Sequence, residues 1–124
     1  MSILLLEDDI FLVELLEKKF FQLGIKSFAV ADVSDALEIL EKEKIDALLL
    51  DIILPDADGL EFLKNLKQNL KFKNLPVIII SNLGQKEEVQ KGLEAGADFY
   101  LVKANVTTDE IASILKKAVK KHNQ

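Results

Sequence analysis

The chain contains no cysteine, tryptophan or arginine, and its 124 residues include only two prolines, one methionine and one histidine. Without cysteine there are no disulfides, no thiolate metal ligands and no cysteine nucleophiles. Because all 16 basic residues are lysines, a phosphate group would be bound by ammonium groups, hydroxyls or backbone N–H groups, not by the bidentate fork of arginine. Apart from the single histidine, the reactive side chains that remain are carboxylates, hydroxyls and ammonium groups.

Long hydrophobic runs are missing as well. No apolar stretch approaches the roughly 20 residues that a membrane-spanning helix needs, and the apolar run at residues 3–6 is too short for a signal peptide. The net charge of −5 argues against general nucleic-acid binding, which needs a basic surface. We therefore expect a cytoplasmic protein that binds neither membranes nor nucleic acids directly.

The composition is that of one folded domain. A hydrophobic fraction of 49% excludes disorder, and 124 residues are enough to bury a core. No linker, repeat or low-complexity segment divides the sequence. We predict a single domain over residues 1–124 with no output domain, and leave open whether it stands alone or is part of a longer protein.

Four short apolar runs each end at a side chain that could take part in phosphoryl chemistry. The runs lie at residues 3–6, 47–50, 77–80 and 100–102 and are followed by Glu7, Asp51, Ser81 and Lys103. Runs of this length and apolarity are typical of strands buried on both faces of a parallel sheet. The carboxyl ends of such strands lie on one edge, where open α/β sheets bind their ligands. We therefore expect these four side chains to converge.

Amphipathic segments alternate with five predicted strands, which is typical of a doubly wound α/β fold with helices on both faces of the sheet. In the first two helices, the spacing of the apolar residues places Leu15 and Leu37 on the buried side. Ser34 is the expected N-cap of the second helix, and Thr107 with Glu110 is an expected capping box before the last helix.

Glu7, Asp8 and Asp51 would crowd three carboxylates at two strand ends. Like charges this close are stable only with a cation or with raised pKa values. Ligand sets made only of oxygen suit a hard divalent ion, so the sequence predicts a Mg²⁺ site, with Mn²⁺ as an alternative. For Asp9, a place in the acidic first turn of a helix is the simpler explanation.

Asp51 follows a wholly apolar strand, and a carboxylate beside a metal ion can attack phosphorus to form an acyl phosphate. Lys103 would then neutralise charge on the transferred group, while Ser81 hydrogen-bonds one of its oxygens. A serine-hydrolase function for Ser81 is excluded, because the only histidine, His122, lies in a polar tail and is expected to be solvated.

In order and spacing, these motifs resemble the receiver domains of two-component response regulators over essentially the whole chain. The resemblance rests on the acidic pair Glu7 and Asp8, on the segment Asp51-Ile-Ile-Leu-Pro55-Asp-Ala-Asp-Gly59, on Ser81 after the fourth strand, on Gly96-Ala97-Asp98 before the fifth, and on Lys103 after it. It implies a flavodoxin-like parallel sheet of five strands in the order 2-1-3-4-5, with five helices.

The resemblance also implies residue roles. Asp51 would accept a phosphoryl group from the phosphohistidine of a sensor histidine kinase or a histidine phosphotransfer protein. The metal would be bound directly by Asp8 and Asp51, by the backbone carbonyl of Ile53, and by Glu7 largely through a water molecule. Lys103 would pair with the phosphorylated Asp51.

The resemblance also implies a conformational switch that responds to phosphorylation. Ser81 would move towards the phosphoryl group and Tyr100 would rotate into the space that it leaves, which changes the surface of the fourth helix, fifth strand and fifth helix for a downstream protein target. The protein would then be a signalling switch rather than an enzyme, and a monomer or weak dimer. Without the resemblance, Tyr100 is an ordinary aromatic residue of the sheet.

Ile53, Asn82, Leu83 and Ala104 are expected to modulate the site. The family usually has proline after its lysine, often with a cis peptide bond; a cis bond before Ala104 would cost about 3–4 kcal/mol, so we expect a trans bond or a strained loop. Asn82 replaces a small residue and could narrow access to Asp51 or contact the phosphoryl group. Ile53 and Leu83 stand where some relatives carry polar residues that orient water, so we expect slow hydrolysis of the phosphorylated aspartate.

Three alternatives remain open. The first is a receiver-like protein-interaction module that works without phosphorylation and keeps the site as a relic. A flavin-binding electron carrier of the same topology would need a glycine-rich phosphate loop after the first strand, where three acids stand instead. A metal-dependent phosphatase with an aspartyl nucleophile would need a second acid at position 53, which is isoleucine.

Overall fold

A computed structural model describes residues 1–122, in which strands and helices alternate as the sequence predicts. The strands are β1 Ser2–Leu6, β2 Lys26–Val30, β3 Ala47–Asp51, β4 Val77–Ser81 and β5 Phe99–Val102. The helices are α1 Ile10–Gln22, α2 Val33–Lys42, α3 Gly59–Gln68, α4 Lys86–Glu94 and α5 Thr108–His122.

The five strands are parallel and form one sheet in the order β2-β1-β3-β4-β5. This order, with five helices, confirms the predicted doubly wound, flavodoxin-like fold. The register aligns the strand ends, since Leu6 pairs with Leu50 and Ser81 pairs with Val102. The residues that follow these pairs in the chain therefore reach the same edge of the sheet.

The two sides of the sheet carry separate apolar clusters. One joins the sheet to α1 and α5 and includes Leu5, Phe20 and Leu115. The other joins it to α2 and α3 and includes Leu40 and Leu63. Successive residues of a strand point to opposite faces of the sheet. When helices cover both faces, every residue of the strand is buried, so the whole strand is apolar instead of alternating between apolar and polar residues.

Aspartates cap the starts of α1, α2 and α3, and a capping box precedes α5. The side chain of Asp9 accepts hydrogen bonds from two amides of the first turn of α1 and is the N-cap of this helix. This agrees with the expectation that Asp9 stabilises the start of a helix. Thr107 and Glu110 exchange hydrogen bonds, which confirms the predicted capping box. The N-cap prediction for Ser34 was wrong: α2 begins at Val33, two residues earlier than this cap implies, and the side chain of Asp32 caps it.

The predicted burial of Leu15 and Leu37 was also wrong. Their side chains are 58% and 42% exposed, while Leu16 and Ala36, one position away on each helix, are completely buried. In each of these two helices, the apolar face is therefore wider than the surface that packs against the sheet. Within residues 1–122, no helix is long and apolar enough to cross a membrane.

Phe20 and Phe21 provide a matched test of the packing of α1, because the first is completely buried and the second is 85% exposed. Phe20→Ala is expected to lower the free energy of unfolding by about 3–5 kcal/mol, since it removes buried apolar atoms and leaves a cavity. Phe21→Ala should change it by less than about 0.5 kcal/mol. Urea unfolding followed by circular dichroism measures both values, and equal losses would contradict the packing described.

Candidate functional site

A cleft of about 250 Å³ opens at the carboxyl edge of the sheet. It is lined by Glu7, Asp8, Asp9, Asp51, Ile53, Asn82 and Lys103. The structure thus brings together the three carboxylates predicted to bind the metal, the predicted lysine, and two of the modulating residues, of which Ile53 is also the fourth predicted metal ligand. The two predicted switch residues, Ser81 and Tyr100, do not line the cleft.

Asp51 is the last residue of β3 and is only 5% exposed. Its Oδ2 accepts a hydrogen bond from Nζ of Lys103 at 3.0 Å, and its Oδ1 accepts one from the amide of Ile53 at 3.0 Å. Both oxygens are therefore held in a defined direction at the floor of the cleft. A positioned carboxylate of this kind is suited to nucleophilic attack on a bound group.

Glu7 is the most deeply buried acid of the site. Its Oε1 accepts a hydrogen bond from the amide of Asp9 at 3.0 Å. Its Oε2 lies 2.8 Å from Nζ of Lys103, which is an ion-pair distance, but the contact lacks the angular geometry of a hydrogen bond. Burial raises the pKa of Glu7 from 4.5 to about 7, and the contact with Lys103 offsets only part of this effect.

Lys103 begins a short 3₁₀ turn directly after β5. Burial alone would lower the pKa of Lys103, but its contacts with the carboxylates of Glu7 and Asp51 raise it above its usual value, so the ammonium form is retained. No peptide bond in residues 1–122 is cis, so the bond before Ala104 is trans. Lys103 therefore reaches both acids with a trans peptide bond after it.

The acidic residues of the cleft fit a divalent cation. One carboxylate oxygen from each of Glu7, Asp8 and Asp51 can be chosen so that the three lie within 4.8 Å of one another. Asp8 is exposed while the other two are buried, so the cluster is open to solvent on one side. The ammonium group of Lys103 contacts two of these three carboxyl groups, and Oε2 of Glu7 has no hydrogen bond in the part of the chain that the structure describes. A donor set made only of oxygen suits a hard cation.

Ser81 and Tyr100 are linked through the backbone of Leu83. The buried hydroxyl of Ser81 accepts a hydrogen bond from the amide of Leu83 at 3.1 Å. The hydroxyl of Tyr100 donates to the carbonyl of Leu83 at 2.6 Å. The Tyr100 ring also lies so close to Gly92 of α4 that an added Cβ would meet it at 2.7 Å. The sequence singled out Leu83 for its side chain, and no sequence pattern pointed to this backbone link.

The loops after β1, β3 and β4 are anchored in the same way. A side-chain oxygen at each strand end accepts a hydrogen bond from the amide two residues later: Glu7 from Asp9, Asp51 from Ile53, and Ser81 from Leu83. Local bonds of this kind tie the loop conformation to the side chain that accepts them. A group that competed for these oxygens would therefore disturb the loop as well as the side chain.

His122 is exposed, as the sequence predicts, but it does not lie in a tail beyond the last helix. It belongs to α5, and its Nε2 lies 2.9 Å from Oδ1 of Asp98, with the histidine side chain 27% exposed. Asp98 also accepts a hydrogen bond from the amide of Val77. This contact ties the end of α5 to the start of β5, at the opposite edge of the sheet from the cleft.

Comparison with known proteins gives a consistent result. The sequence matches the response regulator receiver domain family over residues 3–116. It is 35% identical over 116 residues to sporulation initiation phosphotransferase F of Bacillus subtilis strain 168, which covers 94% of this chain and 91% of that protein. It is 32% identical over 112 residues to the phosphate regulon transcriptional regulatory protein PhoB of Escherichia coli strain K12, which covers 90% of this chain. The chain spans about half (49%) of the length of that relative.

A solved structure agrees with the sequence matches. The receiver domain of the sensor histidine kinase PA1611 from Pseudomonas aeruginosa PAO1, solved with a magnesium ion coordinated in its active site cleft, superimposes with a TM-score of 0.84 at 27% identity. The match covers 96% of this chain and 97% of that domain. The family match extends over most of the sequence and the fold is the same, so the chain belongs to the response regulator receiver domain family of two-component signal transduction.

Proposed function

We propose that this domain accepts a phosphoryl group on Asp51 from the phosphohistidine of a sensor histidine kinase or a histidine phosphotransfer protein. The environment of Asp51 supports this best: the carboxylate is buried at a strand end, held by Lys103 and by the amide of Ile53, beside two further acids. A carboxylate oxygen would attack phosphorus, the P–N bond would break, and imidazole would leave, so that an acyl phosphate forms on the aspartate.

Mg²⁺ is the cation that we propose for the acidic cluster, and Mn²⁺ would suit the same oxygens. The carboxylates of Glu7, Asp8 and Asp51 and the carbonyl of Ile53 would hold it, and the bound ion would supply positive charge beside the transferring group. Lys103 already places an ammonium group 3.0 Å from Oδ2 of Asp51 and would pair with the phosphoryl oxygens.

Exposed apolar side chains near the cleft support a protein as the phosphoryl donor. Ile10, Phe11 and Leu15 of α1 are 69%, 80% and 58% exposed. Since α1 begins directly after Asp9, which lines the cleft, the first turn of this helix lies next to the cleft. A group of exposed apolar residues at this place is suited to a protein interface.

The contacts of Ser81 support a switch. If its hydroxyl turned to donate to a phosphoryl oxygen, it would lose the amide of Leu83, and the link from Leu83 to Tyr100 would be disturbed. Because Tyr100 lies against α4, the change would reach the surface of α4, β5 and α5, where a downstream protein target would bind. The domain would act as a signalling switch and not as an enzyme, in a monomer or weak dimer.

Phosphorylation by acetyl phosphate tests the acceptor directly, because a small acyl phosphate needs no partner surface. With Mg²⁺, the protein is expected to gain the mass of one phosphoryl group. Asp51→Asn should abolish the adduct, whereas Asp56→Asn, which changes an exposed acid in the same β3–α3 loop, should retain it. Intact-mass spectrometry measures all three proteins, and an unmodified wild type would favour the phosphorylation-independent module instead.

Glu7 should make the metal-free protein sensitive to pH. Its pKa of about 7 in the folded protein lies above the unfolded value of 4.5. Ionisation therefore disfavours the folded state, and stability is lost as the pH rises from about 4.5 through about 7. In EDTA, Glu7→Gln is expected to raise Tm relative to wild type at about pH 8 and to have little effect at about pH 5.

The same linkage predicts that Mg²⁺ stabilises the wild type more at about pH 8 than at about pH 5, because a carboxylate ligand must be ionised. Glu7→Gln should reduce this difference, and the exposed control Glu17→Gln should not. Differential scanning fluorimetry measures each Tm. An equal gain from Glu7→Gln at both pH values would contradict the assigned pKa.

Ile53 should slow the hydrolysis of phosphorylated Asp51. Its side chain is 55% exposed and lines the cleft, but it has no polar atom to orient water. Ile53→Asn is expected to shorten the phosphoryl lifetime several-fold, whereas Leu70→Asn at a remote, 82% exposed position should leave it unchanged. The decay is followed by mass spectrometry after acetyl phosphate is removed. A wild-type lifetime of seconds, or equal lifetimes of wild type and Ile53→Asn, would refute this prediction.

A further inference from the structure

A groove of about 380 Å³ runs between α2 and α3, and it shares no lining residue with the acceptor cleft. Its apolar walls are formed by Val33 and Leu37 on α2, Phe62 and Leu66 on α3, and Phe72 beyond α3. A concave, largely apolar site of this volume lies within the range of known binding sites. We call it the α2–α3 groove.

The floor and rim of the groove differ in exposure. Phe62, Leu66 and Phe72 are less than 9% exposed and belong to the core, so the floor is a fixed surface. Leu37 is 42% exposed, although the apolar spacing of α2 predicts that it is buried. Covering this side chain would remove apolar surface from water, which is favourable.

The rim of the groove is acidic. Glu41, Asp58 and Glu61 line it, and no basic residue does. Lys71 reaches Glu41 at 2.7 Å, but both side chains are more than half exposed, so water screens this pair strongly. Asp58 caps α3, and Glu61 forms no ion pair among residues 1–122.

We propose that the α2–α3 groove is the docking site for an amphipathic helix of a partner protein, with large apolar side chains on one face and lysine or arginine on its flanks. Two large apolar side chains one turn apart would cover Leu37 and contact the aromatic floor. Basic side chains on the two flanks would meet Glu41 of α2 and Glu61 of α3. Such complementary charge on both rims would orient the helix in the groove.

The groove is connected to Asp51 through the β3–α3 loop. The amide of Ile53 donates to Asp51, and Ile53 pairs with Asp58 in an antiparallel bridge at the end of the groove. Gly59 donates to the carbonyl of Ile52 at 3.0 Å, and a Cβ on Gly59 would lie 2.4 Å from the Ile52 backbone. A new ligand on Asp51 should therefore alter helix affinity at the groove; this second step rests on the proposed function.

Fluorescence anisotropy with a labelled synthetic peptide tests the docking site. The probe carries two leucines one helical turn apart between flanking lysines, and a scrambled peptide of equal composition has no apolar stripe. We expect the probe to bind at least about tenfold more tightly than the scrambled peptide. Leu37→Asp should weaken it by about tenfold, while Leu93→Asp, at a 45% exposed leucine of α4, should not.

Three results would overturn the docking site: no binding of the probe, equal binding of the two peptides, or equal loss in both leucine variants. Circular dichroism checks that the variants fold. Amide chemical shifts of the isotope-labelled wild type give a readout that needs no variant. Shifts centred on α2 and α3 would support the groove, and shifts centred on α4 would contradict it.

The link to Asp51 has its own measurement. Probe affinity is compared before and after treatment with acetyl phosphate and Mg²⁺, and we expect a change of about fivefold in wild type and none in Asp51→Asn. Mass spectrometry of the same sample separates the possible failures. A phosphorylated protein with unchanged affinity refutes the link alone, whereas a protein that takes up no phosphoryl group refutes the proposed function and leaves the docking result standing.

Discussion

Lys103 holds two buried carboxylates, Glu7 and Asp51, at the edge of the sheet, and the rest of the site depends on this contact. Buried carboxylates are unfavourable unless they are paired, and one ammonium group cannot neutralise two of them. The remaining negative charge makes the cleft receptive to a cation, and burial of the Glu7 carboxyl group raises its pKa. The parallel sheet makes the contact possible because three of its strands end at one edge, so the fold and the chemistry have the same origin.

Much of this arrangement could be predicted because several independent features of the sequence indicate it. A sheet that is buried on both faces needs strands made entirely of apolar residues. A polar residue directly after such a strand stands out in the sequence, and Asp51 and Lys103 were singled out for this reason. The order of the strands came from the family resemblance, since no local pattern encodes which strands are neighbours. Lys103 reaches both carboxylates although Ala104 replaces the usual proline, because the contact needs only a strand end at the right edge.

The predictions failed where the local sequence offers competing solutions. Asp32 and Ser34 are both good N-cap residues two positions apart, and the residue type alone does not tell that Asp32 caps the helix. Helical spacing predicts the buried side of a helix but not how much of it the sheet covers, so Leu15 and Leu37 were misplaced. Leu83 acts through its amide and carbonyl, which almost every residue possesses, and no side-chain pattern could have revealed that role.

Backbone anchoring gives the domain two directions in which a change at Asp51 could be transmitted. Through Ile53, the bridge to Asp58 leads to α3; through the hydroxyl of Ser81, the backbone of Leu83 leads to Tyr100 and α4. Each route begins with one local hydrogen bond, worth about 1 kcal/mol for the neutral hydroxyl of Ser81 and about 1.5–3 kcal/mol for the carboxylate of Asp51. A charge-assisted bond to a phosphoryl oxygen would be strong enough to replace either of them. The paired strands are held by many such bonds and by a continuous core, so they would remain in place. With the sheet held in this way and its loops lightly anchored at one edge, the proposed chemical change at Asp51 would alter helix surfaces while the core stays unchanged.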